Sequence, residues 1–279
     1  MELGRRLAAI VRAQGAVPAL VGVVAGTPVV GMTDDQLAAL LAQPVHEVRK
    51  LNTSNLGAAM TAGSSGATTV STTMELAAGA GIGVFATGGI GGVHEPVSSL
   101  DVSADLTALT RFPVAVVTSG VKSILNVAAT REMLETLGVP VIGFGTDDFP
   151  AFYLRKADDA GLGGVDWRFD HIAELAAYVR RELARTGRGI VVCNPIPPEH
   201  ELATDDWRRW LAQARDRVRA GAGRGGSGGS GGSGTGRNAT PALLAALHEV
   251  SGGATLRANI ALVEDNARVA GMLARAMVE

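Results

Sequence analysis

Lysine is scarce in this 279-residue sequence: of 25 basic residues, only Lys50, Lys122 and Lys156 are lysines. Lys122 has the most suggestive setting, directly after the apolar run Val114-Ala115-Val116-Val117 and its short Thr118-Ser119-Gly120-Val121 exit. An ammonium at the end of a buried strand is poorly solvated, which lowers its pKa. The neutral amine can then attack a carbonyl and form a Schiff base. The blander outcome, and the commoner one for lysine, is a surface ammonium with its stem laid along apolar neighbours. A second feature is Thr87-Gly88-Gly89-Ile90-Gly91-Gly92-Val93-His94. A glycine-rich turn after a strand can present backbone N–H groups to a phosphate. Its spacing fits neither the dinucleotide fingerprint nor a P-loop, and a tight turn explains it equally well. The third feature is Asp101-Val102-Ser103-Ala104-Asp105. If the segment is helical, the two carboxylates share a face. They could bind one divalent cation through oxygen, or divide the work between a cation and a proton. An acid-decorated helix start accounts for the same spacing.

These residues need elements to hold them. Val84-Phe85-Ala86-Thr87, Val114–Val117, Val141–Phe144 and Ile190–Cys193 read as strands, each running into a loop rich in Gly, Ser, Asp or Pro. Asn126 can cap a helix that ends at Gly138, with Pro140 two residues on. The alternation of strand and helix predicts an α/β layered fold, in which ligands gather beyond the carboxyl ends of strands. Upstream, Leu3, Leu7, Ile10 and Val11 predict a helix ended by Gly15. Val17–Val24 and Pro28–Met32 predict two strands joined by a turn at Ala25-Gly26-Thr27-Pro28. Thr33 caps a helix with Leu37, Leu40 and Leu41 on its buried face. Asp205–Val218 predicts a helix with Trp207, Trp210, Leu211, Ala214 and Val218 on one side and a solvated charged face on the other. Two further helices, Ala242–Val250 and about Leu256 to Met277, finish the chain.

Composition narrows the function classes. The chain is 47% hydrophobic and 19% charged, with a net charge of −2. That is enough apolar residue for a sizeable core and excludes a disordered or coiled-coil protein. A near-neutral charge gives no electrostatic basis for a nucleic-acid partner. The single cysteine, Cys193, excludes a disulfide framework and a Cys-based zinc site, and its apolar run makes it a buried strand thiol. Ala13–Thr33 is uncharged, but Pro18, Pro28 and several glycines break it, so no membrane span is expected. The start carries no signal-like apolar run, and a soluble cytoplasmic protein is expected. Gly221 to Gly236 is different in kind, with ten glycines in 16 residues and Gly-Gly-Ser three times over. It predicts a flexible insertion of roughly 20 Å r.m.s. span within a single 1–279 domain.

Several blocks together resemble the pseudouridine-5′-phosphate glycosidase family, also called indigoidine-synthase-A-like. They are Gly66-Ala67-Thr68-Thr69-Val70, Phe85 to His94, Asp101 to Leu106, Lys122-Ser123-Ile124-Leu125, Gly138 to Gly143, Phe149-Pro150-Ala151-Phe152-Tyr153, Asn194-Pro195-Ile196-Pro197 and Ala258-Asn259-Ile260-Ala261-Leu262-Val263. The resemblance implies a three-layer αβα sandwich around a mixed β-sheet, assembled as a homotrimer. It implies reversible cleavage of the C–C glycosidic bond of pseudouridine 5′-phosphate to uracil and ribose 5-phosphate. Lys122 would be the nucleophile, forming a Schiff-base adduct with C1′ of the ring-opened ribose. Asp101 would help hold manganese (Mn2+), mostly through water. Ser103, Ala104 and Asp105 would contact substrate, with Asp105 handling protons at the ribose. Lys50 and Val70 match sugar-phosphate contacts, and Asn259 matches a base contact. Such chemistry is coherent, because an iminium at C1′ supplies the electron sink that a C–C bond lacks.

The sequence also departs from the family. The family carries, ahead of the helix that comes first here, a Leu-Glu-Ser-Thr strand whose glutamate protonates the uracil carbon; that motif is absent from this sequence, and Glu2 does not match it. Glu95-Pro96 stand where the family often has Arg-Gly, and Lys50-Leu51-Asn52-Thr53-Ser54-Asn55 replaces a more basic stretch. Both changes remove positive charge near the expected phosphate. Three readings stay open: a glycosidase whose start lies upstream, an enzyme of secondary metabolism that joins ribose 5-phosphate to another carbon acceptor, and an inactive sugar-phosphate-binding member.

Overall fold

The computed structural model describes residues 1–157, 163–222 and 239–279. Five short strands form a wholly parallel sheet in the order β5-β6-β9-β7-β8. They are β5 (Val84–Ala86), β6 (Ala115–Thr118), β7 (Val141–Phe144), β8 (Trp167–Phe169) and β9 (Ile190–Cys193). β9 lies at its centre with β6 beside it, and both are buried on both faces, which is why they read as unbroken apolar runs. Alternate side chains serve different layers, as the two-residue strand period demands. Ala115, Val117, Ile190 and Val192 pack with α7 (Ile172–Thr186) and α10 (Ala254–Ala276). Val116, Val191 and Cys193 pack in a second cluster with α4 (Val70–Gly79), α5 (Ala104–Leu109) and α6 (Val127–Thr136). Trp207 and Ala214 of α8 (Thr204–Ala222) and Leu247 of α9 (Ala239–Val250) extend that second cluster. Helices thus cover both faces of the parallel sheet, giving three layers.

A separate four-stranded sheet has the order β2-β1-β4-β3 and is mixed. β1 (Val21–Val24) and β2 (Thr27–Val30) form a hairpin whose turn residues, Ala25 and Gly26, both have positive φ, the geometry of a tight hairpin turn. β3 (Arg49–Leu51) and β4 (Gly66–Thr68) are parallel, with Lys50 opposite Ala67. α1 (Glu2–Ala13) lies against α10 and adds an Arg6–Glu264 ion pair. α2 (Asp34–Leu41) starts at a complete capping box, Thr33 with Gln36, and α3 (Leu56–Thr61) links β3 to β4.

The α/β class and the main parallel strands follow the sequence reading, but the mixed pairing belongs to the smaller sheet. Strands β3, β4, β5 and β8 have only three residues each, too few to show a period. Leu41 was expected in the buried face of α2 and is instead 57% exposed, leaving Leu40 as its buried leucine. Asp101 and Asp105 do not share a helix face, because α5 begins at Ala104 behind the Ser103 cap and Asp101 lies before it. The glycine-rich run expected as a flexible insertion lies, beyond the end of α8, outside the described residues. No helix among the described residues is long and apolar enough to cross a membrane.

Candidate active site

Lys122 sits where the carboxyl ends of β5 and β6 meet. After β6 the chain bends at Ser119, and Val121 bridges Ile90 of the glycine run. The Lys122 N–H donates to the Ile90 carbonyl (3.1 Å), and the Lys122 carbonyl accepts from Leu125 N–H (3.0 Å). Gly120, at φ +82°, makes this path possible: a side chain there would be strained, and it would run into the Pro150 carbonyl. Burial lowers the Lys122 pKa from 10.5; the Asp105 charge opposes that shift and the Lys50 charge reinforces it. Among the described residues, no carboxylate stands within ion-pair distance of Lys122. Of the other lysines, Lys156 pairs with Asp148 (2.9 Å) at the surface, and Lys50 lies exposed on β3.

Asp105 is 3% exposed, and both its carboxylate oxygens are taken by backbone. Oδ1 accepts from Ser71 N–H in the first turn of α4 (2.9 Å), and Oδ2 accepts from Gly91 N–H (2.8 Å). Ser103 caps α5 by accepting from Asp105 N–H (3.3 Å), with Ala104 as the first helical residue. The carboxylate is therefore an anion fixed between α4, α5 and the glycine run, stabilised by two charge-assisted bonds. Val70, the first residue of α4, is buried beside this junction.

The glycine run is a packing device. Its backbone donors serve the protein: Ile90 N–H donates to the Gly120 carbonyl, Gly91 to Asp105, Val93 to Thr130 Oγ1, and His94 to the Asp101 carbonyl. A side chain at Gly91 would run into Ser103 and Asp105, one at Gly92 into Thr130, and one at Gly89 into Phe152. Close approach, and not phosphate binding by these four donors, explains the glycines.

Asp101 lies outside this cluster, with its side chain 35% exposed and 3.9 Å from His94 Nδ1. No three His, Cys, Asp or Glu side chains gather into a metal cluster among the described residues. With both Asp105 oxygens engaged, Asp101 is the one predicted carboxylate left to face a cation. That donor set suits an ion held chiefly by water and substrate oxygens.

Asn259, half-buried on α10, brings its Oδ1 to 3.3 Å from where a side-chain carbon on Gly88 would stand. Phe152 closes over the same glycines, its φ at +60°, a rare backbone state for a bulky residue. The Phe152 N–H donates to the Ser119 carbonyl (2.8 Å). The structure therefore groups Lys122, Asp105, Ser103, Ala104 and Val70, has Lys50 act on Lys122 by charge, and sets Asn259 near the start of the glycine run and Asp101 near its end. Two contributors were missed from sequence, Ser119 and Asn266. Asn266 stands at a core-facing position of α10 among Leu262, Val269 and Leu273, and a polar residue on an apolar stripe was the available signal. An apolar cleft of about 620 Å³ between α1, β1, β5 and α10 is lined by none of these predicted site residues.

Residues 1–276 match the family model described as indigoidine synthase A like protein. A pseudouridine-5′-phosphate glycosidase of Symbiobacterium thermophilum is 44% identical over 99% of this chain and 86% of its own length. One of Methylobacterium nodulans is 46% identical over 99% of this chain and 78% of its own length. Among solved structures, the prealnumycin C-glycosynthase AlnA in complex with ribulose 5-phosphate superimposes with a TM-score of 0.86. It is 34% identical, over 99% of this chain and 86% of that one. An indigoidine synthase A-like protein of Thermotoga maritima gives a TM-score of 0.83 at 35% identity, over 98% and 85% of the two chains.

Proposed function

The chain belongs to the indigoidine synthase A-like family, and from that premise we propose that it reversibly cleaves the C–C glycosidic bond of pseudouridine 5′-phosphate, giving uracil and ribose 5-phosphate. The observation that carries the proposal is Lys122: a partly buried amine of lowered pKa, with no ion-pair partner among the described residues, held near a fixed carboxylate. Burial enlarges the neutral fraction of the amine, which is the form that attacks a carbonyl.

In the synthetic direction the Lys122 Nζ lone pair adds to the C1 aldehyde of open-chain ribose 5-phosphate, and loss of water leaves an imine. In the cleavage direction the Nζ lone pair of the C1′ adduct forms the C=N bond as the C–C bond breaks, and the bond's electron pair leaves on the uracil carbon, which takes up a proton to give uracil. Asp105 keeps a negative charge beside the cation that forms, at no cost in reorganisation, because its oxygens are already fixed. Ser103 and Ala104 offer the start of α5 to the sugar, Lys50 and Val70 contact the sugar phosphate, and Asn259 contacts the base. Asp101 would be the protein's ligand to a manganese ion held mainly through water. When bound, that ion supplies a positive charge that polarises a substrate oxygen. A homotrimer in the cytoplasm belongs to the same proposal, and light scattering reads the assembly directly.

The test is borohydride trapping with ribose 5-phosphate and manganese, followed by peptide mass spectrometry. The expected product is a reduced adduct on Lys122, absent from Lys122→Ala. No adduct in the wild-type chain, or equal labelling of Lys50 and Lys156, overturns the proposal. A second reading, attachment of ribose 5-phosphate to a different carbon acceptor, is favoured by the similarity to the C-glycosynthase. Incubation with uracil separates the two: pseudouridine 5′-phosphate supports the first, and an adduct with no uracil product supports the second. Ribose 5-phosphate binding with no adduct points to a non-catalytic sugar-phosphate binder.

A further inference from the structure

We infer that Asn266 is a positioning residue that ties the carboxyl ends of β5, β6 and β9 to α10 and so holds Lys122 in register with Asp105. It is fully buried. Its Nδ2 donates to the Thr87 carbonyl (2.8 Å) and Ser119 Oγ (3.1 Å), with the Gly88 carbonyl at 3.4 Å. Its Oδ1 accepts from Asn194 Nδ2 (3.0 Å) and lies 3.4 Å from Ser119 Oγ. Thr87, Ser119 and Asn194 are the first residues beyond β5, β6 and β9 respectively. One amide thus meets three strand ends at once.

Each of those ends leads to the reacting groups. From Thr87 the chain enters the glycine run, where the Ile90 carbonyl accepts the Lys122 N–H and the Gly91 N–H clamps Asp105. From Ser119, three residues lead to Lys122, and the Ser119 N–H donates to the Gly88 carbonyl (2.9 Å). Asn194 Nδ2 also donates to Asp265 Oδ2 (2.7 Å), giving α10 a second hold on β9. The charges that act on Lys122, Asp105 on α5 and Lys50 on β3, lie on other elements. Asn266 therefore influences Lys122 through the backbone it fixes and not by charge. A polar residue spanning three buried loops is costly to leave unsatisfied, so its contacts hold one geometry.

The inference rests on Lys122 being the nucleophile, and two readouts keep it separable from that reading. The first is the rate of borohydride-trapped adduct formation on Lys122 across ribose 5-phosphate concentrations. The second needs no substrate: acetic anhydride labelling of Lys122 against pH, read by mass spectrometry. For Asn266→Ala, shown folded by its melting curve, the maximal adduct rate should fall about tenfold or more. The half-saturating ribose 5-phosphate concentration should change less than about threefold, and the labelling midpoint should move up toward the ordinary lysine value. A folded Asn266→Ala with unchanged adduct rate and labelling midpoint overturns the inference, even if its melting temperature is lower. If Asn266→Ala does not fold, Asn194→Ala carries the test, since it removes the Asn194 contact to Asn266 Oδ1, together with the Asp265 bond, and leaves the three donor contacts of Asn266. A threefold slower adduct rate is expected there, and no change overturns the inference. If the wild-type chain forms no adduct, the proposed function fails, while the labelling midpoint still decides whether Asn266 positions Lys122.

Discussion

Lys122 and Cys193 are both nucleophile-bearing residues at the carboxyl ends of neighbouring strands, Cys193 fully buried and Lys122 partly so. Cys193 closes β9 opposite Thr118 of β6, and Lys122 follows Thr118 by four residues. Burial acts on both in the same physical way, by disfavouring the charged form. The chemical consequences are opposite. Burial pushes the Lys122 pKa down, toward the neutral amine that attacks carbonyls. It pushes the Cys193 pKa far up, toward the neutral thiol that does not. A low-dielectric strand end activates an amine and silences a thiol, so the type of side chain decides which strand end is reactive.

The comparison can be broken most directly at Lys122. Lys122→Ala is expected to abolish the trapped adduct and lower turnover on the order of 10⁴-fold or more, measured with pseudouridine 5′-phosphate. Retained turnover would remove the contrast altogether. The next effect is on stability. Asp105→Ala leaves the Ser71 and Gly91 N–H groups buried without their acceptor. At about 1–3 kcal/mol per group, it should destabilise by roughly 2–6 kcal/mol in urea unfolding. A loss under about 1 kcal/mol would mean that water replaces the carboxylate.

A smaller effect concerns the cost of burying Lys122. Its folded-state pKa lies below the unfolded value, so between the two the unfolded chain binds the proton more tightly. Stability should therefore rise with pH from the lowered Lys122 pKa toward 10.5, and the penalty is fully present below that window. Lys122→Met should stabilise the protein by about 0.5–2 kcal/mol at neutral pH and flatten this dependence. A destabilised Lys122→Met, or an unchanged slope, would show that burial is not what shifts the amine. The smallest effect is expected at the thiol. Cys193→Ala should leave turnover within about twofold of wild type, and the folded chain should resist alkylation while Lys122 is still labelled by acetic anhydride. Rapid alkylation of Cys193 in the folded protein would erase the contrast from the other side.

Much of the frame was legible because local patterns carried it. The apolar runs of β6, β7 and β9, the Asn126 cap of α6 and the Thr33 capping box of α2 are short-range signals, and the structure follows them. A three-residue strand carries no period of its own, so β3 with Lys50, β4 and β8 were not readable, and β5, equally short, was legible only as part of the apolar run Val84-Phe85-Ala86-Thr87. Leu41 was misplaced because helical periodicity gives a face but not what covers it. The Asp101 and Asp105 spacing suggested one helical face, but the Ser103 cap starts α5 between them and separates their environments.

By itself, the sequence determined the α/β alternation, the inert setting of Cys193 and the family resemblance carried by blocks such as Lys122-Ser123-Ile124-Leu125. Each depends on residue type and near neighbours along the chain. Only the tertiary structure decided that Asp105 is clamped by two backbone donors, that the glycines serve close packing, and that Asn266 joins three strand ends. Those facts depend on contacts between segments 14 to 179 residues apart. Hydrogen bonds of that span form only after the sheet and its helices have packed, and no local pattern encodes their partners.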